Sequence, residues 1–148
     1  MISFFPDLNV WLALSVSGHS HSACAWEWLY MLGGGARLGF SRYTQVGLLR
    51  LLTNESVMGE QVKCLGAAWK IYERWLRDPR VAFCPEPRGL DAAFRKATAE
   101  FDGKPASKWV GDCYLLAYAQ CCDSTLVTFD RKLVEVAHAQ KIAAIRPV

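Results

Sequence analysis

Residues 2–14 read ISFFPDLNVWLAL and residues 125–137 read TLVTFDRKLVEVA, and each stretch changes its periodicity at an aspartate. A run of apolar and β-forming residues comes first. After Asp7 the apolar residues Val10, Trp11 and Leu14 fall at +3, +4 and +7, and after Asp130 Leu133, Val134 and Ala137 repeat the spacing. Residues so spaced share one helix face. Both stretches therefore predict a short buried strand that passes into a helix at the acid.

Outward from these two units the pattern repeats. Ile2–Phe5, Arg37–Phe40, Val81–Cys84, Thr125–Phe129 and Ile142–Ile145 read as strands. Helices are expected at Ser22–Leu32, with Cys24, Trp28, Met31 and Leu32 on one face, and at about Tyr43–Leu52, Gln61–Leu76, Leu90–Phe101 and Trp109–Cys121. Gly33, Gly34 and Gly35 read as a turn that ends a helix. Short strands separated by helices imply parallel crossovers. The expected fold is α/β, a three-layer α/β/α sandwich around a mainly parallel sheet of four or five strands. In such sheets the ligand site lies beyond the carboxyl ends of the strands.

At 148 residues and 16.6 kDa the chain suits a single domain spanning residues 1–148. Hydrophobic residues make up 52% and charged residues 21%, enough apolar surface to bury a core and too much for a disordered chain. The net charge of +3 is too small to argue for a dedicated nucleic-acid module. The six cysteines form no CxxC pair and no zinc spacing with the histidines, so buried reduced thiols are expected. The N-terminal stretch has no basic n-region, and Pro6, Asp7 and Asn9 interrupt its apolar run, unlike a signal peptide. No stretch approaches the roughly 20 apolar residues of a membrane span. A cytoplasmic protein is expected.

Two further polar residues head the same apolar spacing. Asp112 is followed by Leu115, Leu116 and Ala119, and Gln45 by Leu48, Leu49 and Leu52. All four polar groups should then point inward near helix starts, with Asp7 and Asp130 at strand carboxyl ends. Helix capping is the competing explanation, because Asp is a favoured N-cap. It fits Asp112 poorly, since Pro105 and Ser107 are better start signals several residues earlier. An acid within an apolar stripe is costly to bury unpaired, and three converging carboxylates raise one another's pKa unless a cation neutralises them. A hard divalent ion with oxygen ligands, Mg²⁺ or Mn²⁺, suits such a set. It can activate water and stabilise the leaving oxygen in phosphodiester hydrolysis.

The segments FPDLNVWLAL, HSHSACAWEWL, TQVGLLRLLTN, GDCYLLAYA and LVTFDRKL, in this order, resemble the PIN-domain ribonucleases, most closely the VapC toxins of bacterial toxin–antitoxin pairs. The resemblance covers nearly the whole chain. It implies a Mg²⁺- or Mn²⁺-dependent endoribonuclease that cleaves RNA, is inhibited by a cognate VapB-like antitoxin and is commonly a homodimer. By position it makes Asp7, Asp112 and Asp130 the metal-binding acids, with Asn9 and Thr128 as supporting polar residues. Many relatives carry Glu where this chain has Gln45. The amide keeps a carbonyl ligand but removes one negative charge, which should weaken metal affinity. Glu55 and Glu60 are the nearby acids, off the inward stripe.

Arg42, Arg131 and Lys132 flank these positions and are expected to rim the crevice and hold RNA phosphates. His19 and His21 lie in a loop where the carboxylates already account for the chemistry. Trp26, Trp28, Trp69 and Trp75 could stack bases, but core or interface roles are commoner, and the resemblance assigns Trp26–Leu32 and Trp69–Leu76 to partner binding. One alternative is a PIN domain that binds RNA or a protein without cutting, motivated by Gln45. The other is an acid-rich phosphotransfer receiver or haloacid-dehalogenase-like phosphatase. The mid-chain strands lack the acid a receiver needs, and the phosphatase's second Asp position is Asn9.

Overall fold

The strands are short, two or three residues each. In the computed structural model, which describes residues 1–148, they are β1 (Phe4–Pro6), β2 (Leu38–Phe40), β3 (Val81–Phe83), β4 (Thr125–Val127) and β5 (Ala144–Ile145). All pairings are parallel, in the order β3-β2-β1-β4-β5. Helices cover β1, β2 and β4, and the edge strands β3 and β5 each keep one exposed residue. The expected three-layer α/β/α architecture is therefore present, with five strands. The chain lays down β1, β2 and β3 in one direction and then crosses to β4 on the other side of β1. The β1/β4 seam is thus the topological switch point, where open α/β sheets place their ligands.

Alternation along the strands divides the core. Leu126 faces one side of the sheet and Val127 the other. On the Val127 side lie α1 (Leu8–Ser15), α2 (Ser22–Met31), α3 (Arg42–Leu52) and α5 (Leu65–Arg77). On the Leu126 side lie α6 (Leu90–Thr98), α7 (Ser107–Cys121) and α8 (Arg131–Ala139). A four-residue helix α4 (Glu55–Met58) links α3 to α5. On the second side Tyr118 of α7 stacks on Phe5 at 4.5 Å, and its hydroxyl donates to the carbonyls of Cys84 and Pro85, tying the exit of β3 to α7. On the first side α1 and α3 meet closely: a Cβ on Gly47 would lie 2.6 Å from Leu8 Cδ2, so a side chain there would force the Leu8 side chain aside.

Several local expectations are corrected. The helix expected over Gln61–Leu76 begins only at Leu65; Asn54 caps α4, and Gly59 at φ 57° and a 3-10 turn through Gln61 interrupt the path. On α2 the buried face is Ala25 and Leu29, whereas Met31 is 81% exposed, because Met31 lies about 140° from the midpoint of Ala25 and Leu29 around the helix. Of the six cysteines only Cys113 is buried, Cys64 is exposed and the others are half-buried, all of them free. No helix is long and apolar enough to cross a membrane.

Trp11 is the largest fully buried side chain. It stacks on Phe40 at 3.9 Å and 15° and meets Trp75 edge-on at 5.4 Å, while its indole N–H has no hydrogen-bond partner. Trp11→Ala should destabilise the fold by about 3–5 kcal/mol. Trp11→Phe should stay within about 1 kcal/mol of wild type, since the smaller cavity is offset by removal of an unsatisfied buried donor. Urea unfolding of the two variants checks the contrast.

Candidate functional site

Asp7 leaves the sheet at the switch point. Its backbone N–H donates to Val127 O at 2.8 Å, the last rung between β1 and β4, and its side chain turns back to cap α1, with Oδ1 accepting from Leu8 N at 2.6 Å. The other oxygen, Oδ2, accepts from the Thr128 hydroxyl at 2.7 Å. Thr128 is fully buried, and its Oγ1 also accepts from Asn9 Nδ2 at 3.2 Å and from Asp130 N at 3.1 Å. Asn9 completes the link through its Oδ1, which accepts from Phe129 N at 3.3 Å. One hydroxyl thus joins the exits of both strands.

Asp130 caps α8, its Oδ1 accepting from Lys132 N and Leu133 N at 2.9 and 3.2 Å. Contrary to the inward placement expected of it, Asp130 is exposed. An N-cap precedes the first helical turn, so its side chain folds onto the free amides instead of joining the stripe of Leu133 and Ala137. Asp112 sits in the second turn of α7, away from the helix start, half-buried and without a capping role.

The three carboxylates share one electrostatic neighbourhood. Burial first, then the charges of Asp7 and Asp130, push the Asp112 pKa up to about 6, against a smaller lowering by Lys108 one turn earlier. Asp7, only 7% exposed, is also raised, mainly by burial and slightly by Asp130, with the Thr128 and Leu8 hydrogen bonds opposing. None of the three acids is in an ion pair, and in that sense this set of hard oxygen donors fits a hard divalent cation. No group of three His, Cys, Asp or Glu side chains is gathered tightly enough to form a ready cage. The oxygens already accepting from Thr128 and from helix amides keep the carboxylates turned toward their own elements.

Gln45 is placed differently. It is buried on α3, yet its Oε1 accepts from Arg42 Nη1 at 2.6 Å. Arg42 itself lies over the Phe83 ring at 4.5 Å. The amide is thus committed to a neighbouring cation and makes no hydrogen bond to the aspartates. Arg131 and Lys132 are exposed in the first turn of α8 beside Asp130, and Glu55 and Glu60 are exposed in the α4 region. His21 stacks flat on Phe129 at 4.3 Å, and its backbone N–H donates to His19 Nδ1 at 3.1 Å, which fixes the proton of neutral His19 on Nε2.

Two participants were missed by sequence reasoning. Tyr43, at 44% exposure, reaches over Gly111, where any Cβ would collide with its hydroxyl. Its pKa is raised by burial and then by Asp112 and Asp7, which places the phenol among the acids. The bare Gly111 directly before Asp112 was the available signal. Ser41 is the second: it forms a capping box with Thr44, both fully buried, that starts α3 one residue before Arg42.

Comparison with known proteins gives the family and the fold. Residues 4–139 match the PIN domain family. The chain is 38% identical over 128 residues to ribonuclease VapC41 of Mycobacterium tuberculosis, covering 84% of this chain and 86% of that protein. The fold superimposes on the solved structure of VapBC2 from Rickettsia felis bound to a promoter DNA fragment with a TM-score of 0.74 at 14% identity, covering 100% of both chains. It also superimposes on M. tuberculosis VapC20, described as a sarcin–ricin loop cleaving toxin, with a TM-score of 0.68 at 18% identity, covering 98% of this chain and 100% of that one. With the family matched along nearly the whole chain and a VapC relative at this identity, the protein belongs to the PIN-domain family, in its VapC branch.

Proposed function

We propose that the chain is a divalent-metal-dependent endoribonuclease, the toxin component of a VapBC-type toxin–antitoxin pair, acting in the cytoplasm. The observation that carries this reading is the gathering of Asp7, Asp112 and Asp130 in one neighbourhood beyond the β1/β4 seam, where burial and the neighbouring acids raise Asp7 and hold Asp112 up to about 6. Asp7, Asp112 and Asp130 would hold Mg²⁺ or Mn²⁺. Such an ion supplies Lewis-acid charge at the scissile phosphate and a water of lowered pKa. The chain's own residues do the positioning: Thr128 and Asn9 fix Asp7, and Arg42, Arg131 and Lys132 offer cations to RNA phosphates. Lys108 offsets part of the charge on Asp112.

The relatives are VapC proteins and the structural neighbours include VapBC complexes, which supports a VapB-like antitoxin as partner. A groove of about 300 Å³ lined by Leu14, Trp26, Ile71 and Trp75 offers an apolar seat for it. A homodimer belongs to the same proposal. A second reading, a PIN domain that binds without cutting, draws on the Arg42–Gln45 bond, which supplies a cation where a further carboxylate ligand would serve.

RNA cleavage in Mg²⁺, Mn²⁺ or EDTA tests the nuclease. Asp7→Asn and Asp130→Asn should each reduce metal-dependent cutting at least about 100-fold while the fold persists, because Asn also caps helices; wild-type rates in either variant would remove the acid from the site. Gln45→Glu should tighten Mn²⁺ binding several-fold by calorimetry, and unchanged affinity would mean that Arg42 absorbs the added charge. Asp112 also gives a pH signature in chelator. The folded chain keeps its proton to about pH 6, whereas the unfolded chain releases it near the usual carboxylate value, so stability falls as pH rises through that window. Asp112→Asn should abolish this fall and be more stable than wild type at pH 7.5 by about 1 kcal/mol after allowance for solvent screening, with no difference near pH 3.

A further inference from the structure

The exposed side of α5 carries charge that the site above does not use. Lys63, Ala67, Lys70, Arg74 and Arg77 recur at intervals of 4, 3, 4 and 3 residues, which brings them into one narrow stripe along the helix and the turn before it. Together with Ile71 and Glu73 they line an open groove of about 430 Å³. All four cations are exposed and none is in an ion pair, the two ion pairs of the chain being Arg80–Asp78 and Arg95–Asp91. Four cations against one carboxylate give this groove a net +3, the same as the entire chain. The excess charge that looked too dilute to mean anything in the composition is therefore concentrated on one helix face.

We infer that this stripe is a docking track for the phosphodiester backbone of RNA, outside the cutting site. Only Ala67 and Ile71 are apolar in the groove, too little for a protein partner, whose interface would need an apolar centre. A row of free cations is what a polyanion requires, since each neutralised phosphate releases condensed counterions. The apolar seat for a protein lies next door, across Ile71, at Trp26 and Trp75. That the polyanion is RNA rests on the nuclease reading.

The test is binding of a fluorescein-labelled 20-nucleotide RNA in EDTA across a salt series. The wild-type protein is compared with the quadruple variant K63Q/K70Q/R74Q/R77Q and with a control of equal charge change, R88Q/K96Q/K104Q/K141Q, with melting curves to establish that all three are folded. The stripe variant should bind at least tenfold more weakly at low salt. Its slope of log K against log salt should be shallower by about 3, the value for four single-strand phosphates at roughly 0.7 each, while the control keeps the wild-type slope. Equal slopes in the two variants overturn the proposal, as does displacement of the RNA by polyglutamate as effective as by unlabelled RNA, which would indicate an acidic protein. A trinucleotide cut in Mg²⁺ equally by wild type and stripe variant, with only the variant losing affinity for the 20-mer, supports the track. If wild type cuts no RNA in Mg²⁺ or Mn²⁺, the 20-mer and longer RNA included, but the slopes differ as expected, the nuclease reading fails and the track stands.

Discussion

The Thr128 hydroxyl is the point on which the arrangement depends. It donates to Asp7, accepts from the Asp130 amide and accepts from Asn9. A buried hydroxyl with three partners is fully satisfied, and its geometry leaves little freedom to any of them. It can play this part only because β1 and β4 are paired in register, with Pro6 opposite Val127. A shift of one residue along either strand would turn Thr128 to the other face and exchange Leu126 for Val127 in the two half-cores. The register of one ladder therefore sets both the core and the acid site.

Around that seam the protein resolves a conflict between burial and charge. Helix starts are the natural place for acids, since free amides there stabilise a carboxylate. Asp7 and Asp130 take that stabilisation as N-caps, whereas Asp112, deeper in its helix, has none, and burial with the neighbouring acids raises its pKa to about 6. Capping and function are thus two uses of the same side chains in the first two cases. Gln45 follows a different course: a nearby guanidinium stacked on Phe83 supplies its hydrogen-bond donor, so this corner of the crevice is neutral amide against cation.

Basic charge is partitioned in the same way. Arg131 and Lys132 follow Asp130 and Arg42 holds Gln45, whereas Lys63, Lys70, Arg74 and Arg77 stand together on the outer side of α5. Beside the α5 stripe the molecule presents indoles and aliphatic side chains, Trp26 and Trp75 among them, in a groove that shares Ile71 and Arg74 with it. The basic stripe and the apolar groove are therefore neighbours of different chemistry joined along α5.

Much of this was legible from the residues. The change of period at Asp7 and Asp130 marked two strand-to-helix passages, and the passages are where that reading put them, because local hydrophobic periodicity is a property of neighbours in the chain. The ends of α5, the exposure of Met31 and of Asp130, and the partner of Gln45 were not legible. Local spacing permitted each outcome without selecting it: Gly59 turns the chain ahead of α5, the first amides of α8 hold the Asp130 carboxylate, and Arg42 settles on Phe83, far from it in sequence. Tyr43 belongs to the same class, since only the close passage of α3 and α7 over Gly111 brings it to the acids. The sequence by itself determined which residues could begin helices, line a core and carry charge. Tertiary structure alone decided which met, because a strand order of β3-β2-β1-β4-β5 brings together residues 121 apart in the chain, and no local preference encodes that pairing.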